Sequence, residues 1–275
     1  MAQRQPEGPP PPPVVQRVRL RYAKRGRLRF TSHRDIARVV ERAVRRSGLP
    51  IAFSAGFNPH PRISWLGAAP TGVASEAEYA ELALAARLDP TEVAARLDAA
   101  LPPGLDVLEG VEAAAGALAD RIEASEWLLA LPGVGDLQAA DAVRAFLAQE
   151  RVVVLRRTKD GSRELDAREA VLCLEVVGTS PDATRLRAFA PVAAGSCAIL
   201  RAVVRHSTPV VRPEDVLVGM RTVASLDLES PLAATRLAQG PLVDTGEGGA
   251  AVLVSDPLAP DRVAREQADA GDGTA

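Results

Sequence analysis

The chain has 275 residues, of which 47% are apolar and 25% charged, and its net charge is −2. That balance is the one expected of a globular protein with a real core, and the length suits two ordinary domains or one domain with tails. No apolar run approaches the roughly 18–20 residues that would cross a bilayer, and the N-terminus, MAQRQPEGPPPPPVV, lacks the apolar stretch of a secretory signal, so a cytoplasmic protein with no membrane contact is expected.

Residues 1–13 end in five consecutive prolines and read as a disordered, partly polyproline-II tail. From Val14 to Phe30 the pattern alternates, with Val18, Leu20 and Tyr22 on one side and Arg17, Arg19 and Arg21 on the other. This is the signature of a half-buried strand with an arginine row on its open face. Lys24-Arg25-Gly26-Arg27 reads as a turn. A helix is expected over His33–Ser47, with Ser32 as N-cap, Asp35 three residues on, and Gly48 and Pro50 as its stop. An irregular segment, Phe53–Arg62, comes next. Strands at Ile63–Ala68 and Ala77–Leu84, a helix at Pro90–Leu101 and a strand at Leu105–Val111 complete a β-α-β-β-α-β order.

A similar order begins again after a linker near Ala113–Arg121. Trp127–Leu131 reads as strand and Asp136–Glu150 as helix. Val152–Arg157 and Glu169–Val177 read as a hairpin, and Arg185–Pro191 and Ile199–Val204 as strands. Pro213–Thr222 reads as a short helix with proline in its first turn. Thr235–Gly240 is a compact polar stretch that reads as a terminal cap, with a lining of the cleft between the two halves as the alternative. The expected fold class is therefore α+β, with two tandem ferredoxin-like (βαββαβ) halves. The expected boundaries are a disordered tail at 1–13, a basic ferredoxin-like domain at 14–112, a second α+β domain at 113–242, and a mostly disordered tail at 243–275. Within that last tail, residues 252–258 have the composition of a short strand.

The charge distribution is more informative than its sum. Val14–Ser64 holds 13 Lys and Arg against two acids, Asp35 and Glu41, a window of +11 in a chain whose remainder is therefore −13. The expected helix concentrates this charge. Ile36, Val39, Val40, Ala43 and Val44 form one apolar face, while Arg34, Arg38, Arg42 and Arg45 gather within roughly 80° on the other. Asp35 is positioned to pair with Arg38, and Glu41 with Arg38 or Arg45. Dense unpaired guanidinium groups bind polyphosphate by counterion release, grip phosphate with two donors and stack on bases. Most charge runs are only a solvated face; the strand row and the basic turn in the same region weigh against that bland reading.

Ser54–Ser64 contains Asn58 and His60, each before a proline, so the segment is stiff and extended. It can present Asn58, His60 and Arg62 at low entropic cost. The bland alternative is a rigid turn with Phe57 in the core and His60 capping a backbone group. His33 and His60 are candidates for an acid–base pair on an RNA 2′-hydroxyl, or for metal ligation with Glu76 or Glu78; neither arrangement has diagnostic spacing. Glu76 is otherwise read as balancing a nearby arginine. No P-loop, strand-following GxGxxG, GxSxG or CxxC pair occurs. Cys173 and Cys197 sit in the apolar contexts VLCLEV and GSCAIL and read as small buried hydrophobes. Two cysteines are too few to hold an iron–sulfur cluster. No cofactor and no metal are expected.

Phe30-Thr31-Ser32-His33-Arg34-Asp35, the arginine-rich helix, Gly56-Phe57-Asn58-Pro59-His60-Pro61 and Gly72…Ser75-Glu76…Glu78-Tyr79 together resemble the radical-SAM-linked domain family of unknown function. Thr31 interrupts the family's Phe-Ser-His-Arg-Asp step. Downstream, Leu165-Asp166-Ala167-Arg168 and Val211-Arg212-Pro213-Glu214-Asp215-Val216-Leu217 are similar to two looser family elements. The resemblance covers roughly residues 15–242. It brings no activity; it implies the company of a radical SAM protein and, in GC-rich bacteria, of an RNase E/G-type ribonuclease.

The function expected from these observations is an RNA-binding accessory protein that works with a radical SAM enzyme or ribonuclease in RNA modification or processing. Arg27, Arg34, Arg38, Arg42, Arg45 and Arg62 would hold phosphates, and Asn58 and His60 would contact a base or ribose. The alternatives are an RNA-processing enzyme using His33 and His60, with Glu76 as a weaker catalytic candidate, and a protein-interaction module with a basic docking face.

Overall fold

The computed structural model describes residues 11–158, 161–178, 197–224, 226, 233–244 and 252–272. The protein mixes α-helices and β-strands, and by contact it divides into two compact units, residues 1–119 with 258–275 and residues 120–257.

The first unit runs β1 (Gln16–Lys24), a 3-10 turn (Gly26–Phe30), α1 (His33–Arg46), β2 (Ile63–Leu66), β3 (Ala74–Leu84), α2 (Pro90–Ala100) and β4 (Val107–Glu112). Its strands lie in the order β4-β1-β3-β2, and each neighbouring pair is antiparallel. Val18, Leu20 and Tyr22 of β1 and Leu82 and Leu84 of β3 turn one face toward the helices. There they pack with Ile36, Val40 and Val44 of α1 and Val93 and Leu97 of α2. Burying an aliphatic side chain of this size is worth about 1.5–3 kcal/mol, so this layer fixes α1 with its apolar side inward. Asp89 caps α2 and Pro90 opens it. A Cβ on Gly110 of β4 would stand 2.5 Å from the Pro90 carbonyl oxygen, so α2 can pack this closely only over glycine.

The opposite face of β1 departs from expectation. Its arginine row is not open: Arg19 is 2% exposed and Arg21 half-buried. The register sets Arg19 opposite Glu81, and Arg19 Nε donates to Glu81 Oε2 at 3.0 Å. The remaining cover comes from a helix that the sequence did not announce. Residues 259–272, expected to be mostly disordered, form α6 (Ala259–Asp272). Buried Asp261 accepts from Arg19 Nη1 at 2.7 Å and from the Ala114 amide at 2.9 Å. Leu258, fully buried, joins Ala77, Tyr79, Val111 and Leu118 in a second apolar cluster. Arg262 pairs with Glu109 at 2.6 Å and Arg265 with Asp89 at 2.7 Å. The helix is held by ion pairs and one apolar plug, not by an apolar stripe, and Val263 is half-exposed. Periodicity cannot detect such a helix.

The second unit runs β5 (Ala124–Pro132), α3 (Asp136–Leu147), β6 (Val153–Thr158), β7 (Gly161–Asp166), the single turn α4 (Ala167–Ala170), β8 (Val171–Val176), β9 (Cys197–Arg205), α5 (Pro213–Ala224) and β10 (Ala233–Gly240). β11 (Leu242–Asp244) and β12 (Val252–Val254) follow as an antiparallel pair. The main strands take the order β10-β5-β9-β8, each neighbour antiparallel, which repeats the order of the first unit once the β6–β7 hairpin is set aside. Three expectations need correction. Val152–Arg157 pairs with the nearer Gly161–Asp166, not with 169–177; the latter segment supplies β8, which pairs with β9. Thr235–Gly240 is not a terminal cap but most of β10, whose Thr235, Arg236 and Gln239 are buried despite their polarity. Cys173 and Cys197 are free, as expected, but half-buried rather than buried. The expected strand at 185–191 and the tail at 1–10 lie outside the described residues. Among the described residues no helix is long and apolar enough to cross a membrane.

Removing the buried carboxylate in Asp261→Ala should destabilise the protein by about 3 kcal/mol, the low end for breaking a buried ion pair because Glu81 still partners Arg19; equilibrium urea unfolding checks this. Asp89 offers a pH test. Its hydrogen bonds from Thr91, assisted by Arg265, lower its pKa from 3.8 to about 2. A depressed carboxylate stabilises the fold above its unfolded value, and that contribution disappears as pH falls through about 2. A carboxyl NMR titration should place the Asp89 midpoint near 2.

Candidate functional site

The first unit sorts its positive charge into two classes. Guanidinium groups on β1 and just after it are consumed internally. Arg17 reaches Glu81 at 2.9 Å. Arg21 Nε donates to the Glu76 carbonyl at 2.9 Å. Arg25 donates to both Glu76 carboxylate oxygens, with Nε–Oε1 at 2.7 Å, and to Asp106 at 2.8 Å; the Glu76 hydrogen bond is the main cause of its raised pKa. Buried Lys24 donates to the carbonyls of Ala69 and Pro70, each at 3.0 Å. Glu76, the third catalytic candidate, is thus committed to arginine, and Glu78 accepts from the Ala69 amide at 3.1 Å.

The second class sits on and around α1. The Ser32 hydroxyl accepts from the Asp35 amide at 3.2 Å and donates to Asp35 Oδ2 at 2.7 Å, which ties off the helix start. Burial of Ile36, Val40, Ala43 and Val44 leaves Arg34, Arg38, Arg42, Arg45 and Arg46 exposed. Arg38 meets Asp35 at 3.4 Å with both side chains more than half exposed, a pair of little energetic value. Arg46 donates to the Ala100 carbonyl. Arg34, Arg42 and Arg45 have no carboxylate partner among the described residues, nor do exposed Arg27 and Arg62. Glu41 pairs with neither Arg38 nor Arg45, contrary to expectation. The i,i+4 spacing of Arg34, Arg38 and Arg42 sets successive groups about 6 Å apart along the helix axis.

The loop between α1 and β2 is latched at its base. Phe53 and Pro61 form a bridge, the Ser54 amide donates to the His60 carbonyl at 2.9 Å, and the His60 amide donates to Ser54 Oγ at 3.1 Å. Gly56, at φ 128°, makes the reversal. The residues between stand in solvent, Asn58 and His60 among them. Phe57 is 65% exposed rather than plugged into the core, and the His60 backbone, not its ring, makes the hydrogen bond. Phe30, ahead of α1, is 60% exposed, with the Arg29 guanidinium 4.6 Å from its ring centre. Sequence reasoning missed both rings as surface features: Phe30 closed the alternating stretch from Val14, and Phe57 was a candidate core plug of the loop.

His33 is exposed at the start of α1. Its ring meets the edge of Trp65 on β2 at 5.5 Å, and Trp65 in turn meets Tyr22 at 6.2 Å. No hydrogen bond links His33 to His60, and among the described residues no three His, Cys, Asp or Glu side chains gather as metal ligands. The third histidine, His206, lies in the second unit with Nε2 2.8 Å from Ser125 Oγ. Burial, reinforced by Arg236, lowers its pKa. The downstream resemblance elements close the fold of this unit. Asp166 accepts from the amides of Val152 and Arg168. Asp215, buried, accepts from the Arg212 amide and from the Arg156 guanidinium.

Ser32→Ala should cost about 1 kcal/mol through loss of the α1 cap, read as a lower Tm with the far-UV spectrum unchanged at 20 °C on the order of ordinary working temperature.

A search of curated proteins gave no match. A family model described as "Uncharacterized protein conserved in bacteria (DUF2344)" matches residues 17–213, a span that takes in α1, the latched loop and the Leu165–Arg168 element, nearly all of β1, and the start of the Val211–Leu217 element. On that match, the chain belongs to this conserved bacterial family.

Proposed function

We propose that this protein is an RNA-binding accessory factor whose α1 arginines, with Arg27 and Arg62, hold the phosphate backbone. The observation that carries the reading is the selective neutralisation of charge. Carboxylates and carbonyls engage the arginines of β1, while Arg34, Arg42 and Arg45 stand exposed and form no ion pair among the described residues. A field of uncompensated guanidinium groups draws a polyanion and releases its counterions. Asn58 and His60, exposed on a latched loop, supply neutral hydrogen-bonding groups for a base or ribose.

Within this proposal the protein is cytoplasmic and presents RNA to a radical SAM enzyme or an RNase E/G-type ribonuclease; that company rests on the sequence resemblance alone. The repeated strand order supports reading the chain as two ferredoxin-like halves, at 14–112 and 113–242. The engagement of Glu76 by Arg25 speaks against Glu76 as the catalytic carboxylate of the alternative reading.

The test is fluorescence anisotropy with a labelled stem–loop RNA that carries a single-stranded tail. Neutralising about four phosphates predicts a log–log salt slope of about −3. The combined change Arg34→Glu, Arg42→Glu, Arg45→Glu should lower affinity at least about tenfold and flatten that slope. Binding that ignores salt, or is unchanged in the triple variant, would remove the proposal.

A further inference from the structure

We infer that the RNA this surface takes is single-stranded, and that Phe30 and Phe57 are stacking platforms for its bases. The inference rests on the RNA reading above and adds the class of RNA to it. Large apolar side chains are normally buried, yet these two phenylalanines are 60% and 65% exposed. Both lie in the basic unit, and each adjoins the groups proposed to hold phosphate. Phe30 precedes the α1 cap, two residues before Ser32, and carries the Arg29 guanidinium over its ring at 4.6 Å. Phe57 is followed by Asn58 and His60 and then by Arg62, all exposed.

The two positions belong to neighbouring parts of the fold. His33, in the first turn of α1, contacts Trp65 of β2 at 5.5 Å. Arg62, on the return leg of the loop, stands three residues before Trp65, about 10 Å along an extended chain. The loop that bears Phe57 is fixed at its base by the Phe53–Pro61 bridge and the Ser54–His60 hydrogen bonds, so the ring is displayed at a low ordering cost.

Chemistry then selects the strand state. A duplex hides its base faces in the stack and offers phosphates and 2′-hydroxyls, whereas a single strand offers unstacked bases that lie on aromatic or guanidinium planes. Arginines alone would bind either form. Exposed rings set among arginines add a term that only the single strand collects, and every base has a face to stack, so the preference should tolerate sequence.

The experiment compares a mixed-sequence, unpaired RNA of about 24 nucleotides with a duplex of about 12 base pairs, so that the two carry on the order of equal phosphate number, using full-length protein. The single strand should bind at least about tenfold more tightly, and Phe30→Ala and Phe57→Ala should each weaken it about tenfold while leaving the duplex unchanged. Phe30→Tyr and Phe57→Tyr should restore single-strand binding, since stacking needs only the ring; this separates loss of stacking from loss of structure. Equal binding of both forms, with the Phe→Ala variants unaffected, would overturn the inference and leave the phosphate-binding reading intact. Failure of both RNAs to bind would overturn the two together.

Discussion

The buried guanidinium of Arg19 is the constraint on which the first unit turns. It lies in the middle of β1, 2% exposed, and is held by Glu81 from the neighbouring strand and Asp261 from the last helix. A charge cannot sit there unpaired, because the desolvation cost would run to several kcal/mol. The sequence therefore has to deliver a carboxylate from far along the chain, and Asp261 arrives on α6 with Arg262 and Arg265 pairing alongside it. This need explains why a polar, weakly apolar segment is ordered as helix and why it belongs with the N-terminal unit.

The same pairing decides what is left over. Glu76, Glu81, Asp106 and Asp261 are spent on β1 and the turn after it. α1 cannot share in that neutralisation, because its apolar side is committed to the core and its arginines must face outward. A lopsided local charge thus becomes two populations: one that builds the fold and one that remains available. The proposed RNA surface is the second population, framed by two exposed phenylalanines and a latched loop.

Much of this was legible in the sequence where a period and a partner coincided. α1 could be read to within a residue because Ile36, Val40 and Val44 recur at helical spacing and Ser32 and Asp35 mark its start. The alternation of β1 was equally plain, and its apolar face was placed correctly. What alternation cannot say is what covers the polar face, so an arginine row whose members are in fact engaged by acceptors, with Arg19 buried, read as open. β10 escaped for a related reason: Thr235, Arg236 and Gln239 look solvated until β5 pairs with them. The hairpin error arose because Gly161–Asp166 is polar whereas 169–177 is apolar, so the farther segment looked the better strand although the nearer one pairs. In the candidate site, the helix arginines and the exposure of Asn58 and His60 followed from local pattern. The seating of His33 against Trp65 and the commitment of Glu76 to Arg25 depend on contacts between distant segments, which no local pattern encodes.

The central claim is the division of arginines into engaged and available groups, and chemical footprinting reads it directly. Phenylglyoxal modification of the folded protein, followed residue by residue by mass spectrometry, should label Arg34, Arg42, Arg45 and Arg62 rapidly and Arg19 slowly, with bound RNA shielding the first four. Rapid labelling of Arg19 together with the α1 arginines, or labelling of α1 that RNA does not alter, would contradict the account.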